Sequence, residues 1–208
     1  MNLEKETKLF QGGVKFIAAI DEAGRGPLAG PVVSACVIID KNFKITPELE
    51  MVRDSKKLSP KKRQELFSII KKNVKAVAIG VCDHEIIDRV NILQATFLSM
   101  KKSLEKTQIN ADIVLLDGKF EIPKIQIKQE AIISGDNLVF SIAMASIIAK
   151  VSRDYIMEKY DQEFPLYNFK KHKGYGTKEH MKMISLYGPS PIHRLSFAPF
   201  SQKNIKTN

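Results

Sequence analysis

Apolar and polar residues alternate along this chain in blocks that predict strands first and helices later. Residues 16–20 form a continuous apolar run ending at Asp21, the pattern of a strand buried on both faces. A turn rich in glycine and proline follows over residues 24–31, and a β-branched run occupies residues 32–39, so the two runs predict a long hairpin. Ser59 followed by Pro60 is a helix start, an N-cap hydroxyl before a proline at the first helical position, and the helix is expected to reach Lys72. Residues 74–82 read as a third strand. Leu93, Phe97, Met100 and Leu104 recur at offsets of four and three, which places them on one face of a helix. Residues 113–116 make a short apolar strand ending at Asp117 and Gly118, and residues 124–129 are expected to form a fifth. From Leu138 the pattern is helical to about Tyr160. The first half of that helix is apolar nearly all round and rich in small residues (Ser141, Ala143, Ala145, Ser146, Ala149), as in a buried helix lying close to its neighbours. Residues 177–186 predict a last, shorter helix. Clustered strands followed by strands alternating with helices predict an α/β architecture, a mixed sheet flanked by helices.

Composition narrows this picture. No repeat, low-complexity segment or linker divides the 208 residues, so a single domain with a short polar tail, residues 201–208, is expected. At 44% hydrophobic residues the chain can bury a sizeable core, which argues against global disorder. Lys and Arg number 33 against 23 Asp and Glu, a net charge of +10. A surplus of that size favours a polyanionic partner, through phosphate neutralisation and counterion release, without identifying it. Cys36 and Cys82 are the only cysteines and both lie in apolar runs, consistent with buried free thiols in a reducing compartment. The first ten residues carry Glu4, Lys5, Glu6 and Lys8 and lack the apolar segment of a signal peptide. The longest apolar stretch, residues 138–149, is bounded by Asp136 and Lys150 and falls short of the ~20 residues a membrane span needs. A cytoplasmic monomer with no membrane partner is expected.

The chemistry begins with Asp21 and Glu22. Adjacent side chains in a strand point to opposite faces, so the two converge only if the strand stops there, as the end of the apolar run suggests. Asp117 ends a second apolar strand; an ordinary Asp-Gly turn is the plain alternative. Asp136, after Gly135 and before the buried helix, is by itself a natural helix N-cap. Taken together, acids at the ends and turns of apolar segments in a positively charged chain resemble a ligand set beyond the carboxyl ends of strands. Carboxylates gathered there repel one another unless a hard cation such as Mg²⁺ neutralises them. Two such ions support in-line displacement at phosphorus. The sequence lacks the paired histidines of a zinc hydrolase helix.

Gly24-Arg25-Gly26-Pro27-Leu28-Ala29-Gly30 is not a dinucleotide fingerprint, because Pro31 and a strand follow rather than a helix, nor does it end in the Gly-Lys-Ser/Thr of a Walker loop. Its glycines instead allow close approach of a nucleic-acid backbone, with Arg25 between them. The segment Asp21-Glu22-Ala23-Gly24-Arg25-Gly26-Pro27-Leu28-Ala29-Gly30-Pro31-Val32 resembles the signature of bacterial ribonuclease HII, the type 2 ribonuclease H. Further matching pieces follow in order: Asp54-Ser55-Lys56-Lys57-Leu58-Ser59, Asn91-Ile92-Leu93-Gln94-Ala95-Thr96, Leu116-Asp117-Gly118 and Gly135-Asp136. Then come the run from Ala145 to Asp154, His172-Lys173-Gly174-Tyr175-Gly176-Thr177 and His193-Arg194-Leu195-Ser196-Phe197. The likeness spans about residues 14–200.

The resemblance implies a ribonuclease H-like fold with a central five-stranded mixed sheet. It implies that Asp21, Glu22, Asp117 and Asp136 are catalytic acids binding two divalent ions, Mg²⁺ or Mn²⁺. On that basis Asp21 bridges both ions, Glu22 and Asp117 serve the leaving-group side and Asp136 the attacking-water side. It further implies that Gly24, Arg25 and Gly26 contact the ribonucleotide and its phosphate and that Tyr175 packs near the sugar. Lys56 and Lys173 are candidate phosphate contacts. The implied substrates are RNA–DNA hybrids and DNA duplexes with embedded ribonucleotides, cut on the 5′ side to leave 3′-hydroxyl and 5′-phosphate ends. One departure is the short polar tail where some members continue into C-terminal helices. His172, His180 and His193 suit structural or phosphate-contact roles better than a metal site. Two rivals remain at this point, a non-catalytic duplex-binding protein and another nuclease of the same fold.

Overall fold

In the computed structural model, residues 2–201 are described, without the side chains of residues 53–57. Five strands, β1 (Phe16–Ala23), β2 (Val32–Asp40), β3 (Ala76–Cys82), β4 (Ile113–Asp117) and β5 (Lys128–Ile132), form one sheet in the order β3-β2-β1-β4-β5. β1, β2 and β3 are an antiparallel meander, and β4 and β5 join in parallel beyond β1. The sheet is therefore mixed, with the expected hairpin at its centre. The α-helices are α1 (Glu4–Gln11), α2 (Pro60–Asn73), α3 (His84–Val90), α4 (Ile92–Glu105), α5 (Gly135–Leu138), α6 (Phe140–Glu163), α7 (Phe169–His172) and α8 (Lys178–Tyr187).

Strand alternation divides the core in two. Ile17, Ala19, Ala35, Val37 and Ile39 meet α6 on one face. Ala18, Ile20, Cys36 and Ile38 meet Met100 and Leu104 of α4 on the other. Small residues set how near the helices lie. Ala143, Ala145 and Ala149 of α6 are fully buried against the sheet, and a Cβ at Gly80 of β3 would run into the Ser99 carbonyl of α4. The Ser59 cap is present, its hydroxyl accepting from Lys62 N at 3.3 Å.

Several elements depart from the sequence reading. The last strand lies at Lys128–Ile132 rather than 124–129. Lys124 is left-handed at φ 60°, and the Gln129 side chain bonds both the N–H and the carbonyl of Ile122 (2.8 and 3.0 Å), so the preceding residues form a closed loop, not a ladder. The helix expected from Leu138 to about Tyr160 is α6, Phe140–Glu163, while the short α5 before it, set off by an extended Val139, was not expected. Asp136 does not cap either; the α5 cap position is Ser134 and that of α6 is Val139. β1 does not stop at Asp21 but continues to Ala23. α1 was not anticipated. Its buried Glu6 accepts from Ser141 N at 2.8 Å, at the start of α6.

Candidate active site

Asp21 and Glu22 lie where the sheet opens. Through Ile20, β1 is paired with both β2 and β4, in register with Leu116 on the β4 side. Beyond Ile20 only the β2 pairing continues, Asp21 opposite Ala35 and Glu22 opposite Ser34. What stops at Asp21 is thus the partner rather than the strand. The parallel pair β1 and β4 therefore opens at its carboxyl ends, where open α/β sheets place ligands. Asp117 is the last residue of β4, one step past Leu116, so the parallel register carries it alongside Asp21. Asp136 joins from α5, where its amide donates to Asp117 Oδ1 at 3.3 Å, and its own Oδ1 accepts from Asn137 Nδ2 at 2.9 Å.

Burial and mutual repulsion dominate the electrostatics. Asp21 is 5% exposed, and its carboxyl is pushed well above the usual range, first by burial, then by Glu22 and Asp117. Ser146 of α6 and the Glu22 amide, which donates to Asp21 Oδ1 at 2.6 Å, oppose this. Burial likewise raises Glu22, while Arg25, bonded to Glu22 Oε1 at 3.1 Å, pulls it down. Glu22 Oε2 is buried with no hydrogen-bond partner. Desolvated, mutually repelling carboxylates with an orphaned oxygen suit a hard divalent cation. Among the described residues no group of three or more His, Cys, Asp or Glu forms a ready-made metal site. The four acids are neighbours by register and backbone contact, and Glu22 is drawn onto Arg25.

The glycine loop lies beside these acids. Gly24 and Gly30 have φ of 96° and 80°, and a Cβ at Gly24 would collide with the Arg153 side chain. Arg25 and Gly26 are exposed. A Cβ on Gly26 would stand 3.7 Å from Tyr175 Cε1, so the tyrosine ring lies across the tip of the loop. Tyr175 is 46% exposed, as a ring available to a ligand must be. The structure gives Lys173 a different engagement from the one expected, since its ammonium pairs with Glu158 at 2.9 Å and is largely covered. Lys56 lies outside the described side chains.

Histidines fix the Tyr175 loop from below, the structural one of the two roles the sequence leaves open for them. His172 Nδ1 accepts from Gly174 N at 3.2 Å, and its Nε2 donates to the Tyr167 carbonyl at 2.7 Å. His180 Nδ1 donates to the Tyr175 carbonyl at 2.9 Å. Its Nε2 then accepts from His193 Nε2 at 3.0 Å, and His193 Nδ1 accepts from Ser190 N at 2.8 Å. Every ring is satisfied in a neutral tautomer. Burial pulls His180 and His193 down to about 4.

Two residues that the sequence reading left without a role complete the site. Arg153 is 1% exposed and Arg194 fully buried. Arg153 donates to the carbonyls of Pro31 (3.0 Å), Ala29 (3.2 Å) and Lys173 (3.0 Å). Arg194 donates to those of Gly30 (2.9 Å), Arg25 (3.0 Å) and Gly24 (2.6 Å). Burial draws them down to about 10 and about 9, so both stay charged at neutral pH. Their placement inside quoted motif segments was the available signal, but nothing local marked them as buried.

Comparison with known proteins places the chain in a family. The family model for ribonuclease HII matches residues 18–200. Ribonuclease HII of Caldicellulosiruptor bescii is 52% identical over 194 residues, covering 93% of this chain and 92% of that protein. Ribonuclease HII of Acholeplasma laidlawii is 47% identical, covering 97% and 96%. The crystal structure of ribonuclease H2 from Pyrococcus horikoshii OT3 superposes with a TM-score of 0.72 at 27% identity, covering 90% and 96%. With the shared sheet, the match across most of the chain and these identities, the chain belongs to the ribonuclease HII family of ribonuclease H enzymes.

Proposed function

We propose that this chain, acting as a monomer, hydrolyses the RNA strand of RNA–DNA hybrids and incises DNA duplexes on the 5′ side of an embedded ribonucleotide, leaving 3′-hydroxyl and 5′-phosphate ends. The observation that carries the reading is the set of carboxylates around the open end of β1 and β4, where Asp21 and Glu22 both feel the charge of Asp117 and Asp117 accepts from the Asp136 amide, with the exposed Tyr175 ring lying across Gly26 beside it. Asp21, Glu22, Asp117 and Asp136 are the residues that would hold two divalent ions, Mg²⁺ or Mn²⁺. Such a pair activates water and stabilises both oxygens of an in-line displacement at phosphorus.

The chain's own groups do the rest. Asp21, central and buried, fixes the reacting end of the site against the sheet. Arg25, with its side chain half exposed at the rim, is placed to meet a phosphate. The glycine loop lets main chain approach the sugar and phosphate, and the Tyr175 ring offers a face on which a ribose can rest. The 2′-hydroxyl is the group by which such a surface separates RNA from DNA. A duplex-binding protein without catalysis is disfavoured, because buried acids beside the loop weaken phosphate binding unless a cation offsets them.

Steady-state cleavage of a labelled hybrid tests this. Asp117→Asn removes charge with little change of shape. It is expected to lower turnover by roughly 10²–10³-fold, the scale of several kcal/mol of lost transition-state stabilisation. Turnover equal to the parent would remove Asp117 from the catalytic set.

A further inference from the structure

The glycine loop and the Tyr175 loop come from distant parts of the chain, yet recognition of one ribonucleotide by both requires a fixed spacing between them. A single buried side chain reaches both. Arg153 holds Pro31 O and Ala29 O at the end of the glycine loop and, through its third arm, Lys173 O in the other loop. We propose that Arg153 is a positioning residue for ribonucleotide recognition, a strut that sets the distance and angle between the glycine loop and the Tyr175 ring. The proposal rests on the reading that these two elements recognise the ribonucleotide.

Four features support it. First, the guanidinium is a planar fork, so three carbonyls bonded to it are fixed relative to one another in a way that a lysine ammonium cannot reproduce. Second, among the described residues neither Arg153 nor Arg194 pairs with a carboxylate; both direct their charge at main-chain carbonyls. Arg194 holds both ends of the glycine loop, at Gly24, Arg25 and Gly30, and Arg153 is the guanidinium that also reaches Lys173 across from it.

Third, the segment leading into Tyr175 adopts a conformation that needs holding. Lys173 and Gly174 are both left-handed, at φ of 53° and 83°, and this turn presents the Lys173 carbonyl inward to Arg153. The two loops also touch directly. Leu28 N donates to Gly174 O at 2.8 Å, and a Cβ on Gly174 would stand 2.6 Å from Ala29 O. The Arg153 Cζ lies 6.0 Å from the Tyr175 ring centroid, so the strut also backs the ring itself. Fourth, Arg153 is two helical turns along α6 from Ser146, the hydroxyl facing Asp21. One helix thus ties Asp21, the glycine loop and the Tyr175 loop into a common frame.

The test compares Arg153→Lys with the parent and with Tyr175→Ala, using a DNA duplex with one ribonucleotide and its all-DNA counterpart. Turnover and KM are measured on the first, and the ratio of dissociation constants on both, with Ca²⁺ in place of the catalytic ion. Lysine keeps the charge, so the expected change reports geometry. Turnover should fall about ten- to hundredfold, the cost of misplacement by about an ångström. Affinity for all-DNA duplex should stay unchanged, and the preference for the ribonucleotide should collapse toward that of Tyr175→Ala. If Arg153→Lys does not fold, Gly174→Ala, which pushes the two loops apart with Arg153 intact, is expected to show the same pattern. A merely structural role predicts fewer active molecules, with KM and preference as in the parent, and that result would overturn the proposal. Preference lost in Tyr175→Ala but kept in the strut variants overturns the strut alone. Preference kept in Tyr175→Ala overturns the underlying reading of the ring.

Discussion

Asp21 illustrates how a residue suited to function destabilises the fold that carries it. Its carboxyl is buried beside two other acids, and its folded-state pKa is raised. As pH rises from the ordinary aspartate range through that raised value, the unfolded chain releases its proton first, so stability is lost with rising pH. At neutral pH without divalent ions, Asp21→Asn is therefore expected to melt higher than the parent in a thermal scan. Adding Mn²⁺ should raise the parent's melting temperature and leave the variant's nearly unmoved. A variant that melts lower without metal would contradict this view of the site. At this scale the sequence was most informative about residues whose neighbours announce them: Asp117 before Gly118, Asp136 after Gly135, Tyr175 between glycines. It did not show that Arg153 and Arg194 are buried, because their burial depends on carbonyls 20 to 170 positions away, and no local pattern encodes those.

At the scale of elements, strands with strong apolar runs and the capped helix α2 were legible, whereas elements held by single polar side chains were not. β5 is short and only half buried, and Gln129 decides where it begins. α1 reads as a charged N-terminal segment, since only Leu3, Leu9 and Phe10 from that region reach the core. What docks it is Glu6, whose carboxylate accepts the Ser141 amide in the first turn of α6, where helical amides have no partner of their own. Glu6→Ala should lower unfolding free energy by about 1–2 kcal/mol, the scale of a lost helix cap. Urea unfolding would measure it, with turnover unaffected under conditions where both proteins are folded. Unchanged stability would mean that α1 is docked by its apolar contacts alone. The break at Val139 is likewise a tertiary effect. It lets α5 present Asp136 to β4 while α6 starts afresh beneath the sheet.

For the whole molecule, the histidine network couples folding to pH. His180 and His193 are held neutral with pKa values depressed to about 4, below the ordinary value of 6.5. Their contribution is fully present above about 6.5, and it is lost as pH falls toward 4, because the unfolded chain takes up protons first. Asp21 and Glu22 act in the opposite sense, so the informative quantity is a difference. His193→Gln should show a shallower loss of stability between pH 7 and pH 5 than the parent, by chemical denaturation; equal slopes would contradict the network. Among the described residues no helix is long and apolar enough to cross a membrane. The net charge of +10 fits a duplex partner whose affinity weakens with salt. The central claim, cleavage directed by a ribonucleotide and dependent on a divalent ion, is tested most directly with three labelled duplexes: all-DNA, DNA with one ribonucleotide, and an RNA–DNA hybrid. Each is incubated with Mg²⁺ or Mn²⁺ and, separately, with chelator. The account predicts metal-dependent cleavage of the hybrid and incision just 5′ of the single ribonucleotide, with all-DNA left intact. Cutting of all three duplexes, or tight binding with no cleavage in either metal, would contradict it.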